Sequence, residues 1–113
     1  MRVFVADAEP QVRSALRIML VQELGLRVVG ETNRSWGLVD RVRTTRPDVV
    51  VLDWDLPGPP VADLLPALRI ASGRLFVVVL SVDADAEVEA MTLGADAFVS
   101  KTDPAGCAAQ HGC

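Results

Sequence analysis

This chain of 113 residues has only two cysteines, no long hydrophobic run and no excess of positive charge. The two cysteines, Cys107 and Cys113, lie near the C-terminal end, so they cannot form a disulfide framework that holds a fold together. The opening apolar run, residues 3–6, is too short for a signal peptide, and no later run is long enough to span a bilayer. We therefore expect a soluble, cytoplasmic protein.

Charge is distributed along the chain without a basic patch. The formal net charge is −4, and the arginines are scattered rather than clustered. This pattern does not indicate direct binding to nucleic acid. Lysine occurs only once, at Lys101, and the 15 acidic residues, which outnumber the 11 lysines and arginines, favour a cation site. A length of 113 residues is typical of a single domain with one hydrophobic core.

Hydrophobic residues make up 50% of the chain and form three continuous runs, at residues 3–6, 49–52 and 76–80. Continuous runs, unlike alternating ones, are typical of strands that are buried on both faces of a parallel sheet. Residues 27–30 and 97–100 are two weaker strand candidates. Together, the three apolar runs and the two weaker candidates predict five strands.

Helical periodicity fills the segments between these strands. The first helix, which follows Pro10, is predicted to carry its large apolar residues on one face: Val12, Leu16, Met19 and Leu20. The second helix is predicted to have Ser35 as its N-cap and to carry Trp36. Pro47 prevents this helix from continuing.

Two further helices complete the alternation. The third is predicted to begin at Pro60 and to bend at Pro66. The fourth is predicted to be capped by Asp83 or Asp85 and to end at Gly94. Regular alternation of strand and helix predicts an open, doubly wound α/β sheet.

The segment after Lys101 differs from the rest because it contains no Leu, Ile, Val or Phe. Such a segment cannot cover a sheet face with apolar side chains. We expect a domain at residues 1–104 whose fifth helix is missing or degenerate, followed by a disordered or loosely helical tail at residues 105–113. An uncovered sheet flank favours self-association, such as a homodimer.

Polar residues stand where four of the predicted strands end: Asp7, Asp53, Ser81 and Lys101. Because the carboxyl ends of parallel strands meet at one edge of a sheet, we expect these side chains to lie close together. Their types suit phosphoryl transfer to a carboxylate. Asp53 supplies the nucleophile, and Asp7 helps to hold a hard cation such as Mg²⁺. Ser81 donates a hydrogen bond to a phosphoryl oxygen, and Lys101 pairs with its charge.

Each of these residues also has a purely structural interpretation. An aspartate that follows a strand is often a turn former, as Asp7 would be, whereas Asp53 lies deeper in an apolar run. Ser81 alone is an ordinary loop residue, and Lys101 alone is a solvated charge. The prediction of a phosphoacceptor site therefore depends on the combination of all four.

With these residues placed, residues 1–104 resemble the receiver domains of two-component response regulators. The resemblance lies in the phosphoacceptor strand and loop, the strand that ends in a hydroxyl, and the last strand with its aromatic residue Phe98: residues 49–58, 77–81 and 94–101. Residues 28–31 resemble the subfamily whose output domain is a LuxR-type helix-turn-helix. These motifs occur in the family's order and at its spacing.

The resemblance implies a flavodoxin-like, five-stranded parallel sheet in the order 2-1-3-4-5. It implies that a sensor histidine kinase or a small acyl phosphate phosphorylates Asp53, and that Asp7, Asp53 and the backbone carbonyl of Asp55 bind Mg²⁺. It also implies that Ser81 and Phe98 form the conformational switch. Such a domain is a signalling module that catalyses at most its own phosphorylation and dephosphorylation. It would contact DNA only through an output domain absent from this chain, and it would not bind a membrane.

The sequence departs from the family pattern beside this site. The family's N-terminal acidic pair falls on Asp7 and Ala8, so the carboxylate that is normally the direct metal ligand is missing. We expect weaker Mg²⁺ binding as a result. Glu9 is adjacent, in a strand-to-helix turn. Val61, which follows Pro59 and Pro60, replaces a small glycine early in the third helix, and this predicts a stiffer loop beside the site.

Three other interpretations fit parts of the sequence. The segment from Asp53 to Asp55 also resembles the first motif of haloacid-dehalogenase-type phosphatases, but there the motif usually opens the fold, whereas here it follows the third strand. Ala8 and the unusual tail fit a pseudo-receiver that takes no phosphate and acts as a protein-interaction module. Three tail residues are of zinc-ligand type, but their spacing matches no standard zinc finger: Cys107, His111 and Cys113.

Overall fold

The computed structural model describes residues 1–101, in which five strands alternate with four α-helices. The strands are β1 (Arg2–Ala6), β2 (Arg27–Thr32), β3 (Val49–Asp53), β4 (Phe76–Ser81) and β5 (Ala97–Ser100). The helices are α1 (Pro10–Ile18), α2 (Leu38–Thr45), α3 (Val61–Ala71) and α4 (Glu87–Thr92). A π-helical turn, Met19–Glu23, extends α1, and a 3₁₀ turn, Ala84–Ala86, precedes α4. The predicted tail, the degenerate fifth helix and the tail cysteines and histidine lie outside the described residues.

All neighbouring strands pair in parallel, in the order β2-β1-β3-β4-β5. The predicted doubly wound α/β sheet is therefore confirmed, and all five predicted strands are present. Asp53 and Ser81 are the last residues of β3 and β4, while Asp7 and Lys101 directly follow β1 and β5. The direction of strand order reverses between β1 and β3, which is where ligands bind in sheets of this kind.

Apolar side chains cover both faces of the sheet. On one face, Phe4 and Leu52 belong to a core cluster with buried residues of α2, α3 and α4: Leu38, Val42, Val61, Leu65, Leu68 and Ala90. On the other face, Val5 and Val51 belong to a second cluster with Leu20. This burial on both sides explains why the strand sequences are continuously apolar.

Gly30 allows the Phe4 ring to lie against β2. The pairing register shifts at this point, with Val3 opposite Val28 but Phe4 opposite Gly30. A Cβ atom at residue 30 would be 2.5 Å from Cε2 of the Phe4 ring, so a side chain there would collide with the ring. The Arg41 guanidinium covers the ring at 5.1 Å from its centre. Because Gly30 has no side chain, β1 can pack closely against β2. This packing positions Asp7, which directly follows β1.

The first helix differs from its prediction at its C-terminal end. The prediction placed Met19 and Leu20 on one buried face, but only Leu20 is buried, and Met19 is 39% exposed. The backbone changes here to a π-helical turn, in which the Leu24 N–H donates to the Met19 carbonyl at 3.1 Å. The backbone is still α-helical up to Met19, so the wider turn does not move this residue. Met19 lies about 100° around the helix from Leu20, at the edge of the predicted face, where the core does not cover it.

The second helix begins later than predicted, and Ser35 is not its cap. The helix starts at Leu38 and is preceded by Gly37, whose φ of 73° is in the left-handed region. The Ser35 hydroxyl contacts the loop after β3 instead, at 2.7 Å from the Pro59 carbonyl oxygen. Trp36 lies outside the helix and is 61% exposed. A long-range contact has therefore replaced the local cap.

The third and fourth helices follow their predicted positions closely. The third starts at Val61, directly after Pro60, and runs through Pro66 to Ala71. Before the fourth helix, the Asp83 carboxylate accepts a hydrogen bond from the Asp85 N–H at 2.9 Å and caps the 3₁₀ turn. The N-cap position of α4 itself is Ala86, which makes no side-chain cap, so neither predicted aspartate caps this helix directly. Within residues 1–101, no helix is both long enough and apolar enough to cross a membrane.

Candidate functional site

The carboxyl ends of four strands bring the predicted site residues together. Asp7, Asp53 and Ser81 are fully or almost fully buried, with exposures of 0%, 2% and 0%. Buried polar side chains need partners, because removing a charged group from water without one is costly. Lys101, at the end of β5, supplies that partner, and its side chain is 13% exposed.

The Lys101 ammonium lies between carboxylates from two strand ends. Its Nζ atom is 2.8 Å from Asp7 Oδ2 and 3.4 Å from Asp53 Oδ2. It is also 3.2 Å from Glu9 Oε1. Burial by itself would lower the pKa of Lys101, but the contacts with Asp7, Asp53 and Glu9 outweigh burial and raise that pKa above its ordinary value. Lys101 therefore carries its positive charge into the site at neutral pH.

Backbone N–H groups hold both oxygens of the Asp53 carboxylate. Oδ2 accepts a hydrogen bond from the Ala8 N–H at 3.2 Å, and Oδ1 accepts one from the Asp55 N–H at 3.0 Å. Trp54, between Asp53 and Asp55, anchors the turn because its N–H donates to the Leu80 carbonyl at 2.8 Å. These hydrogen bonds hold the carboxylate in one orientation, which a nucleophile for phosphoryl transfer requires.

The two oxygens of the Asp7 carboxylate have different partners. Oδ1 accepts a hydrogen bond from the Glu9 N–H at 2.9 Å, and the buried Oδ2 faces the Lys101 ammonium at 2.8 Å, with no other donor among the described residues. A buried carboxylate oxygen of this kind, close to the Asp53 carboxylate, fits a hard cation in its donor chemistry. As the side chains stand within residues 1–101, no three acidic, histidine or cysteine side chains are arranged around a common point as a metal site.

The remaining predicted site residues lie at the same edge or next to it. The Ser81 hydroxyl oxygen accepts a hydrogen bond from the Asp83 N–H at 2.9 Å, and the Ser81 carbonyl accepts one from the Lys101 N–H at 2.7 Å. Phe98 is partly buried and packs against the larger core cluster. Asp55 is exposed, and its N–H is the donor to Asp53.

Ser35 is a residue near the site whose role the sequence prediction missed. It is 1% exposed, and its hydroxyl lies 3.1 Å from the Pro57 carbonyl oxygen as well as 2.7 Å from that of Pro59. Gly58, between these prolines, has a φ of 115°, and a Cβ atom there would lie 2.5 Å from Ser35 Oγ. The glycine between two prolines was the available signal for this close approach.

Comparison with known proteins assigns the family. The family model for the response regulator receiver domain matches residues 3–106. This chain belongs to the response regulator receiver domain family. The matched range contains every residue of the site described above, so the receiver-domain resemblance of the sequence is confirmed.

The curated relatives are longer proteins. The DNA-binding transcriptional activator EvgA of Escherichia coli K12 is 30% identical over 105 residues, which cover 91% of this receiver domain and 51% of EvgA. The transcriptional regulatory protein KdpE of Mycobacterium tuberculosis H37Rv is 35% identical over 100 residues, which cover 88% of this chain and 43% of KdpE. The chain thus spans about half the length of the curated relatives that it matches.

Solved receiver structures share the fold over nearly the same range. A LuxR-family response regulator from Aurantimonas superposes with a TM-score of 0.81 at 27% identity, covering 89% of this chain and 74% of its own. The signal receiver domain of NarL from Mycobacterium tuberculosis superposes equally well, with a TM-score of 0.81 at 27% identity, covering 89% of this chain and 83% of its own. These structures support the resemblance to the LuxR-type subfamily.

Proposed function

We propose that this receiver domain accepts a phosphoryl group on Asp53 and that Mg²⁺ assists the transfer. The observation that carries the proposal is the position of the Lys101 ammonium, which contacts the buried carboxylates of Asp7 and Asp53 together. A carboxylate nucleophile, a second carboxylate for the cation and a nearby positive charge for the phosphoryl oxygens are the parts that this chemistry needs.

The transfer step is a displacement at phosphorus. A carboxylate oxygen of Asp53 forms a new O–P bond, and the bond from phosphorus to the donor breaks, with its electron pair leaving on the donor. The donor is a phosphohistidine of a sensor histidine kinase or a small acyl phosphate. Asp7, Asp53 and the backbone carbonyl of Asp55 would hold Mg²⁺, which supplies charge neutralisation of the phosphoryl oxygens when bound.

Lys101 and Ser81 are proposed to bind the transferred group. Lys101 already lies 3.4 Å from Asp53 Oδ2, so its ammonium is placed to pair with the new phosphoryl charge. Ser81 is fully buried at the end of the neighbouring strand, and its hydroxyl would donate a hydrogen bond to a phosphoryl oxygen. Movement of Ser81 would open space for Phe98 and so alter the surface around α4.

The proposed partner upstream is a sensor histidine kinase, and the proposed downstream output is transcriptional regulation. EvgA is named a DNA-binding transcriptional activator, and this chain covers 51% of it. Contact with DNA would therefore require an output domain outside this chain. We also propose that two copies of this chain associate as a homodimer.

Intact mass spectrometry after incubation with acetyl phosphate and Mg²⁺ tests the proposal. We expect one added phosphoryl group, absent without the metal and absent in Asp53→Asn, which keeps the shape of the side chain but removes the nucleophilic carboxylate. A folded protein without any adduct at high Mg²⁺ and with acid quenching would overturn the proposal. Such a result would point to a pseudo-receiver that acts through protein contacts alone.

A further inference from the structure

Glu9 contributes a third carboxylate at the Lys101 ammonium, although its side chain starts outside the buried part of the site. Its Oε1 atom is 3.2 Å from Lys101 Nζ, and its side chain is 59% exposed. The Glu9 N–H donates to Asp7 Oδ1 at 2.9 Å, so the backbone of residue 9 is attached to the buried aspartate. Glu9 therefore reaches the site from its solvent side while its own backbone is held in place.

Ala8, between the two acidic residues, offers no side-chain ligand. Its N–H donates to Asp53 Oδ2 at 3.2 Å, which places residue 8 directly beside the phosphoacceptor. The turn from Asp7 to Glu9 thus joins both buried carboxylates through backbone hydrogen bonds, but residue 8 cannot add a charge there. Any further carboxylate must come from a neighbouring position.

The charges at this edge of the sheet do not balance. Three carboxylates lie around one ammonium. The Lys101 Nζ atom is 2.8 to 3.4 Å from the nearest carboxylate oxygens of Asp7, Glu9 and Asp53. The nearby guanidinium of Arg13 donates to the Asp7 carbonyl, at 2.7 Å, and lies 3.9 Å from Glu31. Within the described residues, the buried Asp7 Oδ2 has the Lys101 ammonium as its one polar partner, at 2.8 Å. Three carboxylates around one ammonium leave an excess of negative charge, which is the environment that a divalent cation neutralises.

We propose that Glu9 supplies the second N-terminal carboxylate of the cation site, in place of the residue that Ala8 lacks. The inference rests on the proposed function, since it concerns the same Mg²⁺ site. Cation binding would require two side chains to move. The Lys101 ammonium would leave its position among the carboxylates, and the exposed Glu9 side chain would turn toward the cation. A flexible, half-solvated side chain makes that movement inexpensive.

Titration with Mn²⁺ tests the inference on the full chain without phosphorylation. Mn²⁺ is a hard cation that binds the same oxygen ligands as Mg²⁺, and electron paramagnetic resonance reports its free concentration directly. We expect Glu9→Gln to weaken Mn²⁺ binding about tenfold, because losing one ligand group commonly costs at least that much affinity. Glu87→Gln is the matched control, because this substitution removes the same charge from an exposed residue. Glu87 is the first residue of α4, on the chain segment that follows β4.

A rescue experiment separates a ligand from a general charge effect. We expect Ala8→Asp to restore binding in the Glu9→Gln background, because it returns a carboxylate beside the phosphoacceptor. Glu9→Asp keeps the charge but shortens the side chain, so it is expected to bind more weakly than the unsubstituted chain. Unchanged or tighter Mn²⁺ binding by Glu9→Gln would overturn the inference and assign Glu9 to the Lys101 ion pair alone. Circular dichroism of each variant establishes that the fold is retained.

Failure of this inference and failure of the proposed function give different results. A phosphorylated wild-type chain whose Mn²⁺ affinity does not depend on Glu9 would retain the function and reject the role of Glu9. A chain that binds Mn²⁺ through Glu9 but gains no mass with acetyl phosphate would reject the function and keep the role. A chain that binds no Mn²⁺ at millimolar concentrations and gains no mass would reject both.

Discussion

Lys101 shows how much of this site depends on one side chain. It is the single lysine of the chain, and its ammonium is the cation that contacts both buried aspartates. Burial opposes its charge, but the carboxylates of Asp7 and Asp53 more than compensate, so its pKa lies above the ordinary value of 10.5. A raised pKa means that the folded chain holds this proton more tightly than the unfolded chain does.

The raised pKa of Lys101 predicts a specific dependence of stability on pH. Its contribution is fully present below the unfolded-state pKa near 10.5 and is lost as pH rises through the higher folded-state pKa. We expect the free energy of unfolding, measured with urea between about pH 9 and about pH 11.5, to fall with pH. We expect this fall to be shallower in Lys101→Met, which keeps most of the apolar stem but has no ammonium.

The composition of the chain makes this measurement clean. There is no tyrosine and no second lysine, so few other groups titrate in the same window. Equal slopes in the two proteins would show that Lys101 is not held by its carboxylate partners. The ion pairs that place the ammonium beside Asp53 would then contribute nothing, and the proposed role of Lys101 would lose its support.

At the scale of elements, the loop after β3 is held by a residue from the segment before α2. Ser35 is buried, and its hydroxyl lies within hydrogen-bond distance of the carbonyls of Pro57 and Pro59. Its N–H also donates to the Pro57 carbonyl at 2.9 Å. The loop after β3, which contains Asp55, is therefore attached to the segment before α2 by side-chain and backbone contacts of Ser35.

Removal of the Ser35 hydroxyl is expected to weaken this connection. We expect Ser35→Ala to lower the free energy of unfolding by about 1 kcal/mol, because the part-buried Pro59 carbonyl loses its hydroxyl donor. Urea denaturation measures the change, and Ser14→Ala is the control because Ser14 is exposed on α1. A loss no larger than that of the control would mean that the loop is held by the prolines and the backbone contact alone.

At the scale of the whole molecule, the proposed signal must travel from Asp53 to α4 and β5. Ser81 is the connecting residue, because it ends β4 and its carbonyl accepts a hydrogen bond from the Lys101 N–H at 2.7 Å. Its hydroxyl oxygen accepts from the Asp83 N–H ahead of α4. One buried residue thus contacts both segments that the phosphoryl group would have to influence.

Substitution of Ser81 is expected to separate phosphorylation from its structural response. Ser81→Ala should still gain one phosphoryl group from acetyl phosphate, since Asp53 and Lys101 are unchanged. We expect it to lose most of the phosphorylation-dependent change in hydrogen exchange at α4 and β5, because no hydroxyl is left to follow the phosphoryl group. If the variant is phosphorylated and its exchange changes as fully as in the wild type, the coupling through Ser81 is wrong.

Local patterns in the sequence were sufficient for the element order and for the four strand-end residues of the site. Continuous apolar runs marked the buried strands, and parallel strands bring their carboxyl ends to one edge, so Asp7, Asp53, Ser81 and Lys101 could be grouped. These inferences use short stretches of chain and a general rule of sheet topology. They did not require knowledge of which side chains touch.

Only the tertiary structure decided the contacts between distant segments. Glu9 and Lys101 are 92 positions apart, and Ser35 and Pro59 are 24 apart, so no local periodicity indicates that either pair meets. The exposure of Met19 is a further example, because a residue at the edge of a predicted helix face is buried only where a neighbouring segment covers it. Sequence spacing determines which face of a regular element a residue occupies, whereas packing determines where regularity ends and which polar groups then find one another.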